Sequence, residues 1–151
     1  MAVSPNTNFS VGQVLTSTQA NNFPRGVMAY VVRTAGNFTA TTTVADITSM
    51  TVTFTAETDR LYKASWVVQA QKNTDGWTQI SCTTSANALL GSTIGYGING
   101  NYVNLTGFTI IDSFSAGSNT VKLRAEAQVG TTTILATAIS CQLIIEDMGP
   151  R

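Results

Sequence analysis

From Thr120 to Val129 every second residue is apolar: Val121, Leu123, Ala125, Ala127 and Val129 alternate with Lys122, Arg124, Glu126 and Gln128. A repeat of two places side chains on opposite faces only when the backbone is extended. The segment therefore reads as an antiparallel strand with one face on a core and one in water. The same pattern recurs along Arg60–Lys72, where Tyr62, Ala64, Trp66, Val68 and Ala70 share one face. Lys63, Ser65 and Gln69 take the other face, joined unexpectedly by Val67. Ile47–Thr55 sets Val52 and Phe54 against Thr51, Thr53 and Thr55. Thr132–Glu146 reads as the last strand, with a core face of Ile139, Cys141, Leu143 and Ile145 and a stop at Asp147-Met148-Gly149-Pro150.

Further strands fit between turn signals. Val27–Arg33 is apolar and bounded by Gly26 and Gly36. Trp77–Thr84 follows Asn73-Thr74-Asp75-Gly76, and Asp-Gly between two strand patterns marks a hairpin. Tyr102–Ser113 is a strand candidate with Gly107 as a bulge. Ser85–Asn101, rich in Gly and Asn, reads as a long loop around one short strand near Ile94. No helical pattern separates the strands. The expectation is an all-β antiparallel β-sandwich, jelly-roll-like, of about eight strands spanning residues 26–151.

Residues 1–25 differ from the rest. They are polar and irregular, with one short helix expected at Thr16–Asn22, where Thr16 and Gln19 have capping-box spacing and Pro24 closes the segment. So short a helix must dock on something to persist. This segment reads as an attachment arm whose apolar contacts are Phe9, Val11, Val14, Leu15 and Phe23.

Composition narrows the function. Charged residues are 11% of the chain, and net charge is zero. Thr, Asn, Ser and Gly take their place, which suits burial in an assembly or contact with neutral polar partners such as glycans. No basic patch exists to hold nucleic acid. No stretch is long and apolar enough to enter a membrane as a helix. The start lacks the pattern of a signal peptide, so synthesis in a cytoplasm is expected. Sequons at Asn8, Asn37 and Asn104 read as chance matches. Cys82 and Cys141 lie in apolar strand patterns and read as buried thiols acting as small hydrophobes. A disulfide between them would need neighbouring strands.

Catalytic equipment is sparse. There is no histidine, which removes the commonest general base and metal ligand. No cofactor or metal is expected, and no enzyme activity. Glu57 and Asp59 would share a face if extended, as a glycosidase pair does, but they read better as a charged loop before a strand. Gly95-Tyr96-Gly97-Ile98-Asn99-Gly100 lacks the ending and the context of a phosphate loop. Asp75, Trp77, Tyr96, Asn99, Asn101 and Tyr102 gather at loops and could line a shallow glycan site. The competing reading packs these aromatics in the sandwich or between subunits.

Three stretches are similar to a known group. They are Phe9-Ser10-Val11-Gly12-Gln13-Val14-Leu15-Thr16 with Gln19-Ala20-Asn21-Asn22, the run from Ile47 to Trp66, and Leu143 to Pro150. Together they resemble small minor tail, tail-fibre and capsid-surface proteins of tailed bacteriophages that infect actinobacteria. The resemblance implies an N-terminal attachment element, a displayed β-domain that commonly trimerises, and a place in the virion after synthesis in the host cytoplasm. It implies partners of three kinds: other copies of the chain, other capsid or tail proteins, and, in a tail fibre, a host envelope glycan.

Overall fold

A computed structural model describes residues 12, 14, 16, 17, 20, 23–136 and 141–151 of the chain. Its regular elements are strands: β1 (Gly26–Val32), β2 (Phe38–Ala40), β3 (Ala45–Ala56), β4 (Arg60–Lys72), β5 (Gly76–Thr84), β6 (Leu89–Gly97), β7 (Tyr102–Ile111), β8 (Gly117–Ala127), β9 (Thr132–Ile134) and β10 (Cys141–Pro150). They form two antiparallel sheets. One carries β1, β10, β4, β9 and β2 in order, with β7 also paired to β4; the other runs β3-β8-β5-β6. β4 is the hub of the first sheet. It pairs with β10 over Arg60–Val68 and with β9 over Ala70–Lys72, while β7 pairs with Tyr62–Gln71. β1 and β2 extend beyond β10 and β9 respectively. Ten strands thus fill eight positions of a jelly-roll sandwich.

The core follows the alternation. Tyr62, Ala64, Trp66, Val68 and Ala70 of β4 face Val121, Leu123 and Ala125 of β8 across the sandwich, joined by Ile80, Leu143 and Ile145. Phe54, Tyr62 and Phe114 pack as a ring cluster with centroids 5.2–6.0 Å apart. The Tyr62 hydroxyl accepts the Glu57 backbone N–H at 2.8 Å, so its one polar group is satisfied at the core edge.

One buried ion pair locks the start of β4. The Arg60 guanidinium donates from Nε to Asp147 Oδ2 at 2.7 Å and from Nη2 to Oδ1 at 2.9 Å. Nη2 also donates to the Phe23 carbonyl at 2.7 Å, and Asp147 Oδ1 accepts the Gly149 N–H at 2.7 Å. Asp147 sits at the register shift of β10. The clamp therefore holds β4, the β10 bulge and the lead-in to β1 at one point. Such bidentate pairs are costly to break once buried, because the surviving charge has no water.

Several expectations need correction. The segment read as a long loop is largely β6, nine residues in register with β5. Its glycines alternate as a strand's inward face does, and glycine density was mistaken for turn chemistry. A Cβ on Gly95 would lie 2.5 Å from Leu105 Cδ2, so only a bare backbone lets β6 approach β7. Gly107 is not a bulge: β7 runs unbroken against β4, and Gly107 pairs with Trp66. A Cβ there would meet the indole at 2.5 Å and Thr93 Oγ1 at 2.1 Å. The last expected strand is divided into β9 and β10, and Ile139 lies outside the described residues. Val129 falls beyond the end of β8 and is exposed. β2 gave no period-two signal because it is three residues long.

Of the expected helix, the described residues keep the Ala20 N–H to Thr16 carbonyl bond at 2.9 Å. Phe9, Val11 and Leu15 lie outside the described residues. Val14 is exposed, and so is Phe23. Cys82 and Cys141 belong to opposite sheets and are free and buried. Burial pushes the Cys82 thiol up to about 12 and the Cys141 thiol up to about 11, the latter held back by Arg33.

Gly107→Ala should destabilise the fold by about 1–3 kcal/mol, read from the urea midpoint, because neither indole nor strand can yield without strain. A wild-type midpoint would refute the tight seat. A thiol reagent should leave both cysteines unmodified in the native protein and modify both in urea. Because the native thiols keep their protons while unfolded ones, with a reference value of 9.0, lose them, the cysteine contribution to stability should fall as pH rises from 9.0 towards 12. Replacing both cysteines with alanine should flatten that part of the alkaline decline.

Candidate functional site

The expected glycan residues divide between two faces. Thr78 and Ile80 of β5 point into the core, so Trp77 points outward from the second sheet. Tyr96 is its direct partner across β5–β6 and also points outward. The two rings are not stacked on one another, although cross-strand partners stand close. Asp75 joins them at the strand end, its Oδ1 accepting the Asn99 backbone N–H at 2.7 Å. Gln128 lies alongside, its Oε1 accepting the Trp77 N–H at 3.2 Å. Tyr102 and Asn101 belong elsewhere. Tyr102 pairs with Gln71 and faces out from the first sheet, and the Asn101 carbonyl accepts the Lys72 N–H. Four of the six residues are brought together.

Beneath this end lies Lys72, fully buried at the close of β4. Its Nζ reaches the Trp77 carbonyl at 3.3 Å and the Val129 carbonyl at 3.4 Å, and no carboxylate is paired with it among the described residues. Burial lowers its pKa. Its stem fills the space beside Gly97, where a Cβ would stand 2.6 Å from Lys72 Cγ.

A second surface went unread in the sequence. On the outward face of the first sheet, Tyr30, Ile144, Ser65 and Phe108 are direct neighbours across β1, β10, β4 and β7. Val32, Gln142, Val67 and Thr106 form the next row. Tyr30 is 68% exposed, Phe108 66% and Ile110 50%. A depression of about 180 Å³ opens at the centre, lined by Ser65, Trp66, Val67, Gln142 and Ile144. The buried Ser65 hydroxyl there has no hydrogen-bond partner. Lys63 bridges to Glu146 at 3.2 Å and lies 5.8 Å from the Phe108 ring centroid at the rim. Val67 on the polar face of its strand was the available sequence signal, together with the unbroken run Leu143-Ile144-Ile145.

The outer face of the second sheet contrasts with this. Thr51, Thr53 and Thr55 are exposed there. Lys122 and Arg124 share the Asp46 carboxylate at 2.6 and 2.9 Å, and their hydrogen bonds lower its pKa. Glu57 is ion-paired with Arg25 in the open, and Asp59 occupies a left-handed turn at φ 56°. No group of three metal-ligating side chains occurs among the described residues.

No protein-family model matches the chain, and no characterised protein matches it significantly by sequence. Solved structures share its fold. The crystal structure of murine APRIL at pH 5.0 superposes with a TM-score of 0.54 at 13% identity, covering 82% of this chain and 99% of that one. The tripod from the baseplate of bacteriophage Tuc2009 superposes with a TM-score of 0.50 at 13% identity, covering 99% of this chain and 79% of that one. A family 6 carbohydrate-binding module is a more distant likeness, with a TM-score of 0.37 at 13% identity over 78% of this chain and 93% of that one. The first two likenesses establish the sandwich fold and nothing finer.

Lys72→Met should leave the folding free energy within about 1 kcal/mol of wild type or raise it, because the stem packing is kept and an unpaired buried cation is removed. Urea denaturation at neutral pH measures this. A loss above about 3 kcal/mol would mean that the ammonium group is needed where it lies.

Proposed function

We infer that the chain is a virion structural protein, without enzymatic activity, displayed on the tail surface of a phage particle. It assembles as a trimer through the outer face of its first sheet and is attached by the arm at residues 1–25. The observation that carries this reading is the row Tyr30–Ile144–Ser65–Phe108, apolar at three of its four positions, with its central depression and salt-bridged rim. An apolar core inside a polar rim is the anatomy of a protein interface. The second sheet also exposes Leu89, Ile94 and Tyr96, but along the single strand β6, not across four paired strands. Val14 of the arm is 83% exposed, as suits an element that docks elsewhere. The Tuc2009 tripod supports both the trimer and the tail, since its likeness spans nearly the whole chain. The resemblance to actinobacteriophage virion proteins agrees with it.

Light scattering on the purified protein should give three times the chain mass of 15.9 kDa. Phe108→Glu, at an exposed position, should yield a folded monomer. A monomeric wild type, or a variant that stays trimeric, would remove this interface. Immunogold labelling of virions should mark the tail, and label confined to the head would overturn the placement.

A further inference from the structure

We propose that the Trp77–Tyr96 platform on the second sheet is a binding site for a neutral saccharide. This goes beyond assembly and uses a different face of the sandwich, so it does not require the trimer.

The two rings lie between the exposed aliphatic side chains Ile94 and Ile98 and the polar groups of Asp75, Gln79 and Gln128. Tyr96 is 69% exposed. Trp77 is half-buried and held at its backbone on both sides. Its N–H donates to Gln128 Oε1 and its carbonyl accepts the Gln128 N–H at 3.0 Å, so the platform is braced. Among the described residues, neither the indole N–H of Trp77 nor the hydroxyl of Tyr96 has a hydrogen-bond partner. An apolar protein docking site would leave these two polar groups stranded. A sugar would use both, since it offers C–H faces for the rings and hydroxyls for the donors.

The surroundings specify the kind of sugar. Asp75 keeps Oδ2 available beside the rings while Oδ1 holds the Asn99 loop in place. Gln79 stands in the neighbouring register position, flanked by Ile94 and Glu126. The nearest cation, the Lys72 ammonium, is turned inward onto the Trp77 carbonyl. Lys122 and Arg124 lie further along β8 and are engaged with Asp46. Among the described residues no free cation faces the platform to balance a phosphate or a uronate, and Asp75 and Glu126 would repel one. A neutral pyranose or furanose oligomer fits; an anionic glycan does not.

Intrinsic fluorescence reads the site directly. Trp66 lies in the core at 4% exposure, so a ligand-dependent change reports Trp77. The probes are soluble neutral gluco-, manno-, galacto- and arabino-oligosaccharides, with polygalacturonate and a glycerol-phosphate polymer as anionic counterparts. At least one neutral oligomer should shift the emission saturably. Tyr96→Ala should weaken that binding about tenfold while circular dichroism stays native. Tyr96→Phe should keep most of it, separating ring from hydroxyl. Binding of only the anionic polymers, binding that survives Tyr96→Ala, or no response to any neutral oligomer would overturn the site. Light scattering on the same samples keeps the two readings apart: a trimer that binds no sugar sinks this proposal alone, and a monomer that binds sugar sinks the assembly alone.

Discussion

The near contact between β6 and β7 governs the rest of the molecule. β6 belongs to one sheet and β7 to the other, and four residues join them across the end of the sandwich. The sheets can meet there only because Gly95 leaves room for Leu105, and Gly107 for the Trp66 indole. Interiors are packed too densely for a methyl group to be absorbed at such a distance. The same alternation decides what the outside presents. With Gly95 and Gly97 on inward positions of β6, the side chains that alternate with them, Ile94 and Tyr96, must stand in solvent. Closing the core and displaying an aromatic ring are thus two results of one local sequence.

Much of this was legible beforehand. β4 and β8 declared themselves by alternation, and their observed burial follows it from Tyr62 to Ala70 and from Val121 to Ala127. The sandwich followed from several such strands without helices between them. β6 was misread because its glycines were taken one at a time, as turn formers, when their spacing of two or four residues carried the information. Gly107 failed likewise: its role depends on a tryptophan forty-one residues away, which no local rule contains.

The sites were legible in proportion to their locality. Asp75, Trp77, Tyr96 and Asn99 come from two strands joined in a hairpin, so loop proximity found them. Tyr102 was assigned to the wrong face because the chain changes sheets just before it. The row Tyr30–Ile144–Ser65–Phe108 draws one residue from each of four strands distant in sequence, and only the registers unite it. Exposed apolar side chains on a strand are uninformative singly; their alignment across neighbouring strands gives them meaning.

The two outer faces also divide the labour. On one the apolar side chains align across four strands beside a salt-bridged rim; on the other they follow one edge strand, β6, next to rows of threonine and charged side chains.

The Arg60 clamp has a mechanical consequence. The guanidinium holds the Phe23 carbonyl as well as Asp147, at the place where the chain enters β1. Tension arriving along the residues before Phe23 would meet this anchor before it could peel β1 from β10. The anchor lies on β4, the strand with the most partners, so the pull would be shared across the whole first sheet. A pull on the chain ahead of β1 would thus load the centre of the sheet before its edge.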